Sequence, residues 1–320
     1  HAGHLDCLGR TLMCGLLCSV LLLAGSAVSQ EYAGDPLSIG AGARALGMGS
    51  AFVGVSDGAT SLYWNPAGLT RLGRNEIQAQ HAEQFGGTVN HDIIVVGIPS
   101  NAGTFSVGLV RVGVDGIQLS ALEDRGRSIG ADNRPTVSGN TGTSDYSLDV
   151  GYGRAINEKL SLGSRAKIIW RKLSVGNGTG YGIDLGLQYI ARDSLRVGLV
   201  IRDARSTRIS FDSGKSDTIS PSLDLGVGWT RPVGPIDGHL LLAASLLLNA
   251  DTSPADDGQH LRVGAEYQHR TGLSARLGIE GDHLTAGAGL SPTDRIRVDV
   301  AFLENDDLDN TYRISASLYF

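Results

Sequence analysis

Hydrophobic residues recur at every second position over most of this chain. Tyr181, Ile183, Leu185, Leu187 and Tyr189 alternate with Gly182, Asp184, Gly186 and Gln188. Leu261, Val263, Ala265 and Tyr267 alternate with Arg262, Gly264, Glu266 and Gln268. The same period runs through Leu273, Ala275, Leu277 and Ile279, and through Ile296, Val298, Val300 and Phe302. A period of two is that of a β-strand, whose side chains point to opposite faces at successive residues. About fourteen such segments are predicted: 76–85, 91–99, 103–113, 145–156, 159–173, 181–191, 194–204, 219–231, 238–250, 260–269, 272–281, 283–291, 295–304 and 311–320. Most run to about 9–13 residues, longer than the mode of about 5–6 for soluble strands. That length suits a bilayer crossed at a tilt.

The links between segments alternate in length. Short ones follow every even segment, and most longer ones follow the odd segments, the longest being 114–144. Outer-membrane barrels have short periplasmic turns and longer outer loops. Trp170, Trp229, Tyr181 and Tyr189 fall near segment ends, as interfacial girdles would. The pattern predicts an all-β fold, a transmembrane antiparallel barrel of about fourteen strands. An exported soluble β-sandwich, which also alternates, remains a remote alternative.

One segment breaks the alternation. Residues 240–248 read LLLAASLLL, apolar on both faces. Its inward set, Leu241, Ala243 and Leu247, is a candidate lumenal contact for a hydrophobic ligand. The competing explanation is a strand covered on its inner side by other parts of the chain. The face opposite the apolar one carries both signs of charge, with Asp184, Arg262, Glu266, Arg276, Glu280, Arg297, Asp299 and Arg313 as candidate members of a lumenal network.

The first 75 residues follow another pattern. Residues 12–24 (LMCGLLCSVLLLA) follow Arg10 and precede small residues, the layout of a signal peptide. Cleavage is expected after Ser29, giving a signal peptide over 1–29, a small plug or strap over 30–75 and a barrel over 76–320. Cys7, Cys14 and Cys18 are the chain's 3 cysteines, and all lie in the leader. A mature chain without thiols suits export to an oxidising compartment. Residues 34–74 are rich in small residues, which allow close backbone approach, and Asn65-Pro66 favours a turn.

Composition narrows the chemistry. Glycine supplies 45 of 320 residues, and the formal net charge is −6. The charge gives no basic excess for nucleic acid. Gly40, Gly42 and Ala45 match a dinucleotide fingerprint in spacing, but no strand precedes them and no βαβ unit follows. His81 and His91 lack metal-ligand spacing, and there is no nucleophile elbow. No enzyme activity, metal or cofactor is expected.

A resemblance carries the functional reading further. GARALGMGSAF from Gly42, with Arg44, Gly47 and Gly49, then VSDGATS with Asp57, then YWNPAGL with Trp64, Asn65, Pro66 and Gly68, resemble the N-terminal signature of the PorV/PorQ family. That family is similar to the FadL-like outer-membrane fatty-acid transporters, which share the Asn-Pro-Ala element. The resemblance implies a fourteen-stranded outer-membrane barrel with its N-terminal segment at the lumen. In FadL-like transporters that segment occludes the pore and moves to pass hydrophobic compounds. In PorV-type members the barrel receives cargo of type IX secretion. Two functions therefore stand: passage of hydrophobic small molecules across the outer membrane, or a docking and shuttle barrel for secretion-system proteins. The expected surroundings are outer-membrane lipid and the barrel assembly machinery, which the last strand, ending on Phe320, would engage.

Overall fold

A computed structural model describes residues 39–84, 86–173, 176–249, 259–305 and 310–320. The expected signal peptide and the first residues of the plug segment lie outside the described residues. The strands run β1 Glu76–Gln84, β2 Val89–Ser100, β3 Gly103–Leu122, β4 Pro135–Ala155, β5 Leu160–Leu173, β6 Gly176–Arg192, β7 Leu195–Arg202, β8 Thr207–Phe211, β9 Ser216–Ile219 and β10 Ser222–Val233. They continue as β11 Gly238–Asn249, β12 Gln259–His269, β13 Leu273–Glu280, β14 His283–Leu290, β15 Ile296–Leu303 and β16 Thr311–Tyr319.

Neighbours in sequence pair antiparallel, with one detour. β7 pairs with β6 on one side and β10 on the other, while β8 and β9 form a hairpin against the outer part of β6. β1 pairs with β16, and β5 with β6, so the sheet closes on itself. Apart from the β8–β9 hairpin, the wall is a closed barrel of fourteen antiparallel strands. Closure removes the free edges that an open sheet would present.

The face on which the apolar residues lie decides between barrel and sandwich. A sandwich would bury them between two sheets. Here Phe105, Leu277 and Ile314 are 52%, 62% and 51% exposed on the outside of the wall. An apolar band of this extent matches a bilayer, whereas a soluble surface rarely carries large contiguous apolar patches. Aromatics cluster at both rims. The rings of Phe105 and Tyr152 stand 4.8 Å apart near the end that holds both Asn75 and Phe320, and those of Phe302 and Tyr312 stand 5.5 Å apart at the other end.

Three links differ from expectation. Most of 114–144 is strand: β3 and β4 run on as a paired arm, with register shifts between Val114 and Ile117 and between Leu119 and Ser120. Both faces of this stretch are largely exposed, so only Ile117 and Leu119 alternate with Gln118 and Ser120, while backbone pairing sustains the ladder. β6 begins at Gly176, well before the predicted start at 181. Part of the 205–218 link forms β8 and β9.

The lumen is filled by residues 39–74. They contain two short helices, Ala43–Leu46 and Ser61–Trp64, and a 3-10 turn over Pro66–Arg71. Ala43, Met48, Val53, Ala59, Ala67 and Leu69 are fully buried inside the barrel. Close packing depends on glycine at inward wall positions. A Cβ on Gly264 would lie 2.2 Å from the Met48 carbonyl oxygen, and one on Gly163 would lie 2.2 Å from the Pro66 carbonyl carbon. Much of the chain's glycine excess is thus a wall hollowed to fit its own plug.

Candidate functional site

The plug motif acts as a set of anchors. Gly42 precedes the first short helix at φ +81°, and its N–H donates to Gln80 Oε1 at 2.6 Å. Gly47 abuts Gly287, Gly49 abuts Ile279, and Gly68 abuts Ser56. Trp64 is buried and donates its indole N–H to the Ala41 carbonyl at 2.6 Å. Asn65 ties three segments together. Its amide donates to Val53 O and Leu187 O, each at 3.0 Å, while its carbonyl oxygen accepts from Ala67 N–H at 3.1 Å. That bond caps the 3-10 turn, and Pro66 supplies a first turn residue that needs no donor. The Asn-Pro-Ala element is therefore the join between plug and wall strand β6.

Arg44 is the plug's ionic link to the wall. Its guanidinium pairs with Asp57 of the plug and with Glu266 of β12, at 2.8 Å to Oε1. Burial works against the Arg44 charge, but Asp57 and Glu266 more than offset it and hold the pKa well above the ordinary arginine value. Glu266 also accepts from Arg276 at 2.6 Å. Arg276 and Arg297 reach Asp299 at 2.8 and 2.9 Å. Arg262 bridges Asp224 and Glu280 at 3.3 and 2.9 Å. Asp184 sits in a separate cluster with Arg165 at 3.2 Å and Lys167 at 3.3 Å. Arg313 stands apart, since its hydrogen-bond partner is the neutral ring nitrogen of His91 at 2.9 Å.

Leu241 and Ala243 face inward and pack into a cluster with the plug residues Ala43, Leu46, Met48 and Phe52. Leu247, further out on β11, is half-buried. The two-faced apolar run on β11 thus contacts the plug rather than an open lumen at Leu241 and Ala243.

A second apolar cluster, absent from the sequence reading, lies in the outer half of the lumen. Ile93 of β2, Val110 and Val112 of β3, Ile169 of β5 and Ile209 of β8 meet there above Ala41 of the plug. A cavity of about 10 Å³ at its base, lined by Ala41, Tyr63, Ile93 and Val110, has room for about one water. The run DIIVVGI in β2 is apolar on both faces, as β11 is; that signal could have exposed the cluster.

The wall changes beside this cluster. Continuing the β6–β7 register would set Gly180 opposite Ser206, but it sits opposite Ile209, so three residues have left the ladder. The chain turns there through Asp203 and Ser206, both at positive φ. The Ala204 N–H to Ile183 O bond bridges the break at 2.8 Å. On the lumen side Lys167 joins Asp203 at 2.7 Å, and the Asp203 N–H donates to Asp184 at 2.8 Å.

The geometry defines a plugged fourteen-stranded barrel, and solved structures share it. The chain is similar to the CymD monoaromatic hydrocarbon channel, with a TM-score of 0.62, 13% identity, and coverage of 88% of this chain and 98% of that one. It is similar to the Ralstonia pickettii toluene transporter TbuX, with a TM-score of 0.59, 13% identity, and coverage of 88% and 98%. A Pseudomonas aeruginosa FadL homologue gives a TM-score of 0.50 at 12% identity over 84% and 96%. At these identities the fold is what is shared. No family model matches the chain, and no curated protein matches it significantly in sequence.

Proposed function

We propose that this barrel passes hydrophobic small molecules across the outer membrane and releases them sideways through the wall. The observation that carries this reading is the outer apolar cluster meeting the wall break at residues 203–206, above a plug that fills the axis. An apolar solute would gain from contact with Ile93, Ile169 and Ile209, and the break lies in the wall beside them. The fold shared with a monoaromatic hydrocarbon channel and a toluene transporter supports the same class of solute. Export and residence in the outer membrane follow from this reading, as does assembly through the C-terminal strand. The test is Ile209→Asp. Uptake of a labelled aromatic hydrocarbon by cells carrying the variant should drop to that of cells lacking the protein, at equal amounts of heat-modifiable barrel. Unchanged uptake would sink the reading.

A second reading rests on the β3–β4 arm. It rises past the barrel rim with Ile117, Leu119 and Val137 exposed, and it suits a PorV-type barrel that docks secretion-system proteins. Removing residues 117–140 should leave barrel yield intact and abolish co-purification of partner proteins. Undiminished co-purification would exclude the arm as the dock.

A further inference from the structure

The outside of the wall is not uniform in charge near its outer rim. On the β1–β3 side the charges satisfy one another. Asp92 bonds His81 at 2.7 Å and Arg111 at 3.2 Å, and Arg111 reaches Asp115 at 3.3 Å. On the side formed by β5, β6 and the β8–β9 hairpin, the carboxylates turn inward. There Asp145 pairs with Arg171 at 3.0 Å and Asp203 with Lys167 at 2.7 Å, on the lumen face. The outer face keeps cations of its own. Lys172 is exposed beside buried Arg171, and Arg208 is exposed between buried Thr207 and Ile209, so both point outward. Arg205 is exposed in the turn at the wall break. Among the described residues none of these three has an ion-pair partner. Asp212, at the tip of the hairpin, is engaged by Asn177 at 3.2 Å.

Strand register gives this patch its shape. Trp170 of β5 stands opposite Thr179 of β6, Thr179 opposite Ser210 of β8, and Ser210 opposite Ser216 of β9. The four form one outward row, a tryptophan followed by three hydroxyls. Lys172 lies one outward position above the row and Arg208 one below it. With strands about 4.8 Å apart and a rise of about 3.3 Å per residue, the two Cα atoms are roughly 16 Å apart. Tyr181 is 68% exposed and Trp170 40% exposed, which puts the row at the membrane interface, where amphipathic rings settle. Beneath them the outer face returns to Ile183 and Leu185.

We infer that this face holds the headgroup of a phosphorylated saccharide lipid of the outer leaflet. Arginine and lysine at a membrane surface recognise phosphate. A single phosphodiester would engage one end of the patch. Separated cations with hydroxyls between them fit a headgroup that carries phosphates at both ends of a sugar core. One phosphate lies on Arg208 and Arg205, the other on Lys172, and the sugar hydroxyls bond Thr179, Ser210 and Ser216. The acyl chains then run down over Ile183 and Leu185. The inference needs the barrel to lie in an outer membrane and is independent of the transport reading.

The test uses the purified full barrel in detergent, with bis-phosphorylated lipid A and phosphatidylglycerol as probes, and counts bound lipid by native mass spectrometry. The wild type should retain one lipid A and hold phosphatidylglycerol more weakly. Lys172→Ser combined with Arg208→Ser should weaken lipid A binding by about tenfold or more, since each substitution removes a charged hydrogen-bond donor. Arg111→Ser, on the side where charges are paired, should bind as the wild type does. Lys172 and Arg208 are exposed, so the lipid-free double variant should keep the wild-type unfolding temperature. Arg208→Gln alone should lose part of the affinity and serves if the double variant does not fold. Lipid A binding that survives these substitutions, or that falls equally in Arg111→Ser, would overturn the surface. Phosphatidylglycerol held as tightly as lipid A would overturn the saccharide lipid as its occupant. Neither result bears on Ile209→Asp, which tests the transport reading by itself.

Discussion

At the scale of single residues, the lumen separates paired charges that hold the plug from contacts that merely neighbour it. Glu266 is 2% exposed and accepts from both Arg44 and Arg276. Removing it leaves two cations without that partner in a closed space, and breaking a buried pair from one side costs about 3–5 kcal/mol. Asp57 also pairs with Arg44, but its side chain is 32% exposed, so solvent screens it and its loss should cost about 1 kcal/mol or less. Glu266→Ala is therefore expected to lower the unfolding temperature of the detergent-solubilised barrel far more than Asp57→Ala. Equal effects would mean that Arg44 is held by packing and not by Glu266. The motif residues were legible as a motif, but their work was not. Asn65 could be read as a turn former, whereas its bonds to Val53 and Leu187 join positions 12 and 122 residues away.

At the scale of elements, the strands were readable because a wall between lipid and a polar lumen forces a period of two. Inward Arg262, Glu266, Arg276 and Asp299 follow from outward Leu261, Tyr267, Leu277 and Val300 without further information. Where both faces meet the same medium, the signal vanishes. The arm beyond Val114 is wet on both sides and reads as a loop, and the inner faces of β2 and β11 are dry and read as unbroken apolar runs. The break between β7 and β8 was invisible for another reason. It depends on Lys167 of β5, Asp184 of β6 and Asp203 of the turn after β7 meeting, and no local pattern encodes that meeting. If solutes leave through it, closing it covalently should stop them. The cysteines lie only at positions 7, 14 and 18, so a cysteine pair at Ile183→Cys and Ala204→Cys, where the backbones already bond at 2.8 Å, is selective. Oxidation should block hydrocarbon uptake and reduction should restore it. Uptake that ignores the redox state would show that solutes take another path.

For the whole molecule, the decisive issue is whether the plug moves. It packs against β12 and β13 through Met48 and Gly49, against β7 and β10 through Val53 and Gly54, and against β5 and β6 through Asn65 and Pro66. These contacts encircle the lumen. Withdrawing the plug along the axis would break the Arg44–Glu266 pair, the Asn65 anchors and the fit of the wall glycines together, and close-packed interiors resist such graded deformation. An apolar solute reaching the outer cluster would meet Ala41 and Tyr63 below it and the wall break beside it. On the proposed transport reading, a sideways exit would leave these contacts in place, whereas the moving plug that the sequence resemblance implies would have to break them. Fixing the plug tests this directly. Ala43 N–H donates to Ser315 Oγ at 3.2 Å, so Ala43→Cys with Ser315→Cys can be bridged by a disulfide or a short bifunctional reagent. A sideways route predicts that the bridged barrel takes up hydrocarbon at the wild-type rate, and that the Ile183–Ala204 staple alone arrests it. Loss of uptake on bridging position 43 to 315, regained on reduction, would instead show that the plug itself is the gate.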